Sequence, residues 1–190
     1  MSLFQLYLEL GFRHIVDLNG YDHIIFILAL CAGYDFTQIK KVIILITAFT
    51  IGHTVTLVLA TFKYVLIPSD IIEFLIPVTI LITALSNLFP IKKGKRQFVY
   101  LVALFFGLIH GLGFSSYLRE LLGKENSILK PLLAFNIGLE IGQIVILSVY
   151  FLLLFIAVQV FKIKHGFWKI FISGAAFGIA VTLIIQNKIW

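Results

Sequence analysis

Charged residues are scarce in this chain, and their scarcity indicates the solvent in which it folds. Only 13% of the 190 residues are Asp, Glu, Lys or Arg, whereas 61% are hydrophobic and the mean hydropathy is +1.07. A soluble domain is about one quarter charged, and a domain of this size leaves too much surface in water to hide so many apolar side chains in one core. The composition therefore excludes a soluble globular domain and predicts a single integral membrane domain over residues 1–190.

Sulfur is nearly absent as well. The chain has one cysteine, Cys31, and one methionine, Met1, so an internal disulfide is impossible and a sulfur-rich site for copper(I) is excluded. It also lacks a phosphate-binding loop, so a nucleotide-driven mechanism has no motif within the chain. The net charge of +6 does not predict nucleic-acid binding, because the basic residues lie in short links between apolar runs.

Long apolar runs predict an all-α fold, a polytopic transmembrane helix bundle with about six membrane helices. Runs of roughly 20 apolar residues are typical of membrane helices. Here they fall at residues 21–32, 39–62, 70–89, 97–117, 129–161 and 167–186. The first run is short, and residues 3–11 before it predict a short N-terminal interfacial segment.

The links between the runs differ in Lys and Arg content, which predicts the orientation. One side receives nine such residues, including Lys40, Lys41 and the polybasic link at residues 92–96, whereas the other receives six that are mixed with most of the acids. Cytoplasmic links carry the excess of positive charge. The N terminus is therefore predicted to lie outside, and the 92–96 link in the cytoplasm, of a bacterial-type inner (plasma) membrane.

Ionisable groups at bilayer depth are energetically expensive and usually functional, and this chain has several. Given the predicted directions of the helices, all of them fall in the outer half of the membrane, which predicts one site that opens outward. The candidate ligands are His14, Asp22, His23, His53, Glu73, His110 and Glu140, with Asp17, Asn136 and Gln143 as supporting polar groups.

Helix spacing supports this convergence. Asn136, Glu140 and Gln143 are at i, i+4 and i+7, which is one face of a helix. Small residues four apart, Gly107 with Gly111 and Gly138 with Gly142, allow membrane helices to approach closely. Such approach is predicted to bring His110 and Glu140 within reach of one ion.

Several of these residues also have a structural interpretation. Asp22 could cap its helix, and Glu73 could complete a capping box begun by Asp70. His14 could lie among lipid headgroups, and His53 or His110 could be a neutral histidine bonded to a neighbouring helix. Glu140 is the hardest to explain in this way, because a buried carboxylate needs a cation, a proton or a strong partner.

The residue types indicate the class of ion. Neutral imidazoles together with carboxylates suit a borderline divalent transition metal such as nickel, zinc or cobalt. Calcium or magnesium would require oxygen ligands almost alone. No two histidines form a short local motif, so the spacing does not fix the metal.

Four stretches of the chain resemble, in order, the signature blocks of the HupE/UreJ membrane protein family: GFRHIVDLNGYDHIIFILAL, TAFTIGHTVTL, FGLIHGLGF and LLAFNIGLEIGQ. They lie across most of predicted helices one to five. The family is associated with nickel supply to hydrogenase and urease and is described as nickel permeases. The resemblance implies that His14, Asp22, His23, Glu73, His110 and Glu140 handle metal, and His53 falls in the helix-two block.

The favoured interpretation is a membrane permease that binds and admits a divalent transition metal, with nickel favoured, through a His/carboxylate site in the outer half of the bilayer. The alternative is an outward-facing intramembrane metalloenzyme, a zinc-type hydrolase, with Glu140 or Asp22 as its base. The expected partners are the lipid bilayer and the metal ion, without nucleic acid. A homo-oligomer or a metal-delivery partner is left open.

Overall fold

The computed structural model describes residues 2–89, 96–122 and 128–189. This part of the chain contains helices and no strand, which confirms the predicted all-α class. The helices are α1 (Leu3–Ile15), α2 (Asp22–Cys31), α3 (Ile39–Thr61), α4 (Ser69–Ser86), α5 (Arg96–Gly113), α6 (Ser115–Leu122), α7 (Leu129–Phe155) and α8 (His165–Gln186). A short 3-10 turn precedes α3, and a π-type turn, Ile156–Val160, extends α7.

The number of membrane spans only roughly matches the predicted six. Four helices of the described chain are long and apolar enough to cross a membrane, namely α3, α4, α7 and α8. Helices α5 and α6 make a fifth span if they are counted together, although they are bent by 54° at the break between them. Their break replaces the single helix predicted over residues 97–117.

The predicted first span is the largest difference. Residues 21–32 contain helix α2, which has only ten residues and is therefore about 15 Å long at 1.5 Å per residue. A bilayer core of about 30 Å needs twice that length. Helix α1 is a 13-residue helix, longer than the predicted interfacial segment, and it packs along α7.

Two helix pairs are packed so closely that only glycine fits at the contact. A Cβ atom on Gly11 of α1 would lie 2.0 Å from the carbonyl oxygen of Phe135 in α7. A Cβ atom on Gly52 of α3 would lie 2.1 Å from the carbonyl oxygen of Leu104 in α5. Without side chains between them the backbones approach to contact distance, as in small-xxx-small helix pairs, and this brings the polar residues of α1, α3 and α5 together.

Helix α2 ends inside the protein, where its last carbonyl groups accept hydrogen bonds from other helices in addition to those from the turn that follows. Asn87 donates its Nδ2–H to the carbonyl oxygen of Ala29 at 2.7 Å, and the hydroxyl of Tyr150 donates to that of Cys31 at 3.1 Å. The side chains of Ala29 and Cys31 are completely buried. These bonds hold the short helix at a fixed depth and thereby fix the position of its first turn, which carries Asp22 and His23.

The outer faces of the long helices are apolar and exposed, as expected of surfaces that contact lipid. Ile44 and Ile51 of α3, Leu133 and Ile144 of α7, and Phe171 of α8 are each more than half exposed. The chain is therefore an integral membrane protein in composition and in surface. Residues 92–95 of the predicted polybasic link lie outside the described residues.

Candidate functional site

The site is built around four histidines on four helices: His14 on α1, His23 on α2, His53 on α3 and His110 on α5. We call them the histidine cluster. His14 lies in the last turn of α1 and His23 in the first turn of α2, on either side of a tight connection in which the Asp17 carboxylate accepts a hydrogen bond from the backbone N–H of Asn19 at 2.9 Å. Across this connection the two rings are neighbours, with their centroids 4.7 Å apart.

Close glycine packing brings the other two rings into the same space. A Cβ atom on Gly111 of α5 would lie 2.2 Å from the carbonyl oxygen of His53, and one on Gly107 would lie 3.0 Å from the backbone nitrogen of His53. The glycine pair predicted to allow close approach therefore packs α5 against α3 at the level of His53. The second pair, Gly138 and Gly142, packs α7 against α1.

The four rings are neighbours. The ring centroid of His23 lies 4.7 Å from that of His14, 6.0 Å from that of His53 and 5.2 Å from that of His110. One ring nitrogen from each of His14, His23 and His53 lies within 4.8 Å of the others. The sequence-predicted convergence of these histidines is therefore present in the structure, with His23 at its centre.

Each ring of the cluster has at least one nitrogen without a hydrogen-bond partner. Within the described chain, every buried side-chain nitrogen or oxygen atom without a partner belongs to these four residues: Nε2 of His14, Nε2 of His23, both ring nitrogens of His53, and Nε2 of His110. Buried polar groups in proteins are nearly always satisfied, so each exception requires an explanation. A neutral imidazole carries a proton on one of its nitrogens, so each of the four rings can offer one of its nitrogens as a ligand to a metal ion.

Hydrogen bonding settles which nitrogen of His110 is available. Its Nδ1 lies 2.9 Å from the carbonyl oxygen of Phe106, and because a carbonyl only accepts, Nδ1 must carry the proton. In a neutral ring Nε2 then holds the free electron pair. The alternative of a histidine bonded to a neighbouring helix does not apply, since Phe106 belongs to the same helix.

Asp22 prepares His23 in a similar way. Its carboxylate Oδ1 lies 3.4 Å from Nδ1 of His23, which favours the proton on that nitrogen and leaves Nε2 for an ion. Asp22 does not cap its helix, because the N-cap position is Tyr21 and no side-chain cap bond is formed. The carboxylate is therefore positioned as a partner of His23.

Exposure changes steadily from the surface to the cluster. Asp17 is exposed, the Asp22 side chain is 24% exposed and the His23 side chain 5%. A Cβ atom on Gly20 would contact the carboxylates of both Asp17 and Asp22, at 3.7 and 3.8 Å. Two acids thus line the approach from the exposed turn to the buried imidazoles.

Aromatic rings wall the cluster, and sequence reasoning missed them. The Phe114 ring lies 4.1 Å from that of His14, and the rings of Phe26 and Phe49 lie 4.8 and 5.1 Å from that of His110. Apolar rings around a site lower its local dielectric constant, which strengthens electrostatic interactions within it. The signal was available for Phe49, since it precedes His53 by four residues and therefore shares its helix face.

The donor set fits a borderline divalent ion. Two nitrogens bound to one ion at about 2.1 Å can be at most about 4.2 Å apart, so donors within 4.8 Å of one another need only small ring rotations to share it. Neutral imidazole nitrogens suit nickel, zinc or cobalt. Three or four nitrogens, with a carboxylate behind one of them, would hold such an ion and leave room for water.

The remaining predicted residues lie elsewhere. Glu140, Asn136 and Gln143 line or border the contact between α7 and α3, outside the histidine group. Glu73 is exposed beside a separate cavity of about 240 Å³. It forms no capping box with Asp70, because α4 begins after Pro68 without a side-chain cap bond.

Comparison with known proteins agrees with the residues described above. A family model described as HupE / UreJ protein matches residues 1–189 of the chain. No curated protein and no solved structure matches it. Because the match extends over nearly the whole chain, including all four histidines, the chain belongs to the HupE/UreJ family.

Proposed function

We propose that this protein is a membrane permease that binds and admits a divalent transition metal, with nickel favoured over zinc and cobalt. Membership of the HupE/UreJ family supports a metal-transporter-like role in the membrane. The observation that carries the proposal is the set of five unpartnered imidazole nitrogens on four separate helices. A site made by different helices can open and close when the helices move, which a carrier requires.

The proposed path begins at the acids. A hydrated cation is attracted by the exposed Asp17, loses part of its water against Asp22, and passes to Nε2 of His23. His14 and His53, which each have a ring nitrogen within 4.8 Å of one on His23, then complete the coordination, with the completely buried His110 beside them. Each step exchanges water for a protein ligand, so the ion never meets the apolar interior without coordination.

Release must follow from movement of the helices, because binding strong enough to dehydrate an ion must also be reversible. Phe26 and Phe49, both almost completely buried, pack against each other and against the ring of His110. A shift of α3 against α5, or of α2 as a short rigid unit, would change the distances between the imidazoles. The proposal also includes an orientation, in which Asp17 and Asp22 face outward. This orientation is inferred from the distribution of Lys and Arg among the links between helices.

One observation favours the metalloenzyme alternative. Three histidines and an open coordination position are what a catalytic zinc requires to make a bound water nucleophilic, and one ring nitrogen from each of three histidines lies within 4.8 Å of the others here. Asp22 would be the base in that case, because its carboxylate contacts His23, whereas Glu140 lines a separate groove.

The test is uptake by reconstituted liposomes. Purified protein should load vesicles with nickel faster than empty liposomes, and His53→Ala and His110→Ala should both lose this uptake. Elemental analysis of the same preparations measures the bound metal. If wild-type protein binds nickel or zinc but accumulates none in the vesicle lumen, the permease proposal is wrong and the enzyme alternative gains support.

A further inference from the structure

A groove between α3 and α7 holds a carboxylate that the histidine cluster does not use. It has a volume of about 500 Å³ and is lined by five aliphatic side chains together with Thr50, Thr54, Asn136 and Glu140. Several of its aliphatic walls, such as Ile51 and Ile144, are more than half exposed on the lipid-facing surface. Glu140 is therefore a half-buried acid in an apolar groove, in the longest membrane helix.

The hydroxyl protons of the threonines beside Glu140 are taken by acceptors other than its carboxylate. Thr50 has its acceptors in Oε1 of Gln143 at 2.9 Å and the carbonyl oxygen of Ile46 at 3.2 Å, and Thr54 has Oδ1 of Asn136 and the carbonyl oxygen of Thr50. Asn136 donates one Nδ2–H to the carbonyl oxygen of Leu132 at 2.8 Å and keeps a second N–H. Because a hydroxyl has one proton, neither threonine can also donate to the carboxylate, and the threonine and asparagine oxygens of the groove lie beside a negative charge.

Nothing cationic or titratable accompanies that carboxylate. The groove lining, which α3 and α7 supply, contains no Lys, Arg or His and no second acid. A carboxylate at membrane depth without a protein partner must be neutralised, since an uncompensated charge there costs several kcal/mol. The acceptors and the single negative charge together define a site for one positive charge.

We propose that Glu140 and the neighbouring oxygens of Asn136, Thr50 and Thr54 form a second cation site, separate from the histidine cluster, that binds one monovalent cation, H⁺ or Na⁺. A monovalent cation neutralises one carboxylate, whereas a divalent ion would leave a positive charge in an apolar groove. The lining offers neither imidazole nor thiolate, which a borderline transition metal prefers. Bound H⁺ would convert Glu140 to a carboxylic acid, and bound Na⁺ would be held by oxygen atoms alone.

The second site lies against the helix turn that carries a cluster ligand. Thr50 and Thr54 flank His53 on α3, so an ion in the groove and a metal in the cluster act on the same turn from different sides. The coupling between the two sites rests on the proposed transport function. In that function the monovalent cation is the co-transported or counter-transported ion. The binding of that cation to Glu140 does not depend on transport.

Infrared difference spectroscopy of the purified protein in lipid tests the site directly. The variants are Glu140→Gln, which removes the charge at nearly constant shape, and Glu120→Gln, a matched change at an exposed acid on α6. Proton binding predicts a carboxylic-acid carbonyl band that disappears in Glu140→Gln and persists in Glu120→Gln. Sodium binding predicts a carboxylate band that shifts when Na⁺ replaces choline in wild type and in Glu120→Gln, but not in Glu140→Gln.

The proposal is wrong if wild type and Glu140→Gln have identical spectra, both in the carboxylic-acid carbonyl region and on replacement of choline by Na⁺. Glu140→Asp, which keeps the acid on a shorter side chain, should retain a shifted band and serves if Glu140→Gln does not fold. Nickel content provides the second criterion: Glu140→Gln should keep the wild-type amount. Loss of nickel from this variant would make Glu140 a ligand of the cluster and would also overturn the separate site.

The coupling is tested in vesicles with an imposed H⁺ or Na⁺ gradient. The gradient should change the rate of nickel uptake by wild type by about fivefold or more, and that response should be lost in Glu140→Gln. A gradient response that survives in Glu140→Gln overturns the coupling. If wild type neither binds nor takes up nickel while the infrared band of Glu140 responds as expected, the proposed function fails and the cation site stands.

Discussion

At the scale of single residues, the histidine cluster affects the free energy of unfolding of this protein. His53 is 1% exposed, and both of its ring nitrogens lack partners. A buried polar atom without a hydrogen bond costs about 1–3 kcal/mol. The cluster is therefore expected to destabilise the metal-free protein and to be stabilised by the ion that it binds.

Replacement of His53 by leucine should reverse that balance. The variant His53→Leu removes two unpartnered nitrogens from the interior and should raise the stability of the metal-free protein by about 1–3 kcal/mol, while the stabilisation by added nickel disappears. Thermal unfolding in detergent, with chelator and with nickel, measures both effects. His165→Leu is the control, because His165 already bonds the carbonyl oxygen of Tyr34 at 3.2 Å, and this variant should be destabilised. A lower midpoint for His53→Leu than for wild type in chelator would contradict the prediction.

Asp22 should act through His23. Asp22→Asn keeps the size of the side chain but removes the charge beside Nδ1 of His23, and loss of such a supporting carboxylate typically lowers metal affinity about 10–100-fold. Isothermal titration with nickel measures the change. Asp35→Asn, at a partly exposed acid that accepts hydrogen bonds from Thr37 and lies outside the histidine cluster, should bind nickel as wild type does. Equal affinities for the wild type and Asp22→Asn would show that Asp22 does not support the ligand.

At the scale of secondary-structure elements, the site depends on how closely helices approach. Helices α3 and α5 are in backbone contact at Gly52 and Gly107, and α1 and α7 at Gly11 and Gly138. The short helix α2 packs against α4, α7 and α8 and is held there by Asn87 and Tyr150. The ligands are therefore fixed by helix contacts rather than by a loop, which makes their geometry sensitive to the size of small residues.

Gly52→Ala should separate α3 from α5. The added methyl would lie 2.1 Å from the carbonyl oxygen of Leu104, and relief of such overpacking typically costs about 1–3 kcal/mol or more. Both thermal stability and nickel affinity should fall, because His53 and His110 move apart. Gly174→Ala on α8 is the matched control, since nothing lies within 4 Å of its added methyl. Equal stabilities and affinities in the two variants would show that the α3–α5 contact does not determine the site.

At the scale of the whole molecule, orientation decides from which side an ion reaches the acids. The positive links predict that the turn between α1 and α2 faces outward. That turn contains Leu18, which is 79% exposed, and the link between α7 and α8 on the opposite side contains Phe161, which is 70% exposed. The only native thiol, Cys31, is completely buried, so background labelling should be small.

Thiol labelling in intact cells tests this orientation. Leu18→Cys should react with a membrane-impermeant maleimide added outside, whereas Phe161→Cys should react only after the membrane is permeabilised. The wild-type protein provides the blank. If Phe161→Cys reacts from outside and Leu18→Cys only after permeabilisation, Asp17 and Asp22 lie on the cytoplasmic side and the proposed direction of transport is wrong.

The amino-acid sequence was enough to predict the lipid environment, the helical class and the candidate ligands. Lipid cannot hydrogen-bond to a backbone, so long apolar runs must form helices, and the rarity of charge made each intramembrane His, Asp or Glu stand out. The family was also recognisable from the four blocks, and the whole-chain match confirmed it. The number of spans did not follow from the sequence in the same way. In the sequence, a ten-residue helix that ends against Asn87 and Tyr150 looks like the start of a full span.

Which of these candidates lie in the same space follows from helix packing and not from the sequence. Spacing along a helix defines a face, but the neighbour that meets that face depends on how the helix is rotated in the bundle. The glycines of α7 fit against α1, which turns Glu140 toward α3 and its own groove, whereas the glycines of α5 fit against α3 and carry His110 to His53. The predicted ligands are therefore divided between an imidazole cluster and a separate carboxylate groove by helix rotation, which close packing fixes and local sequence does not.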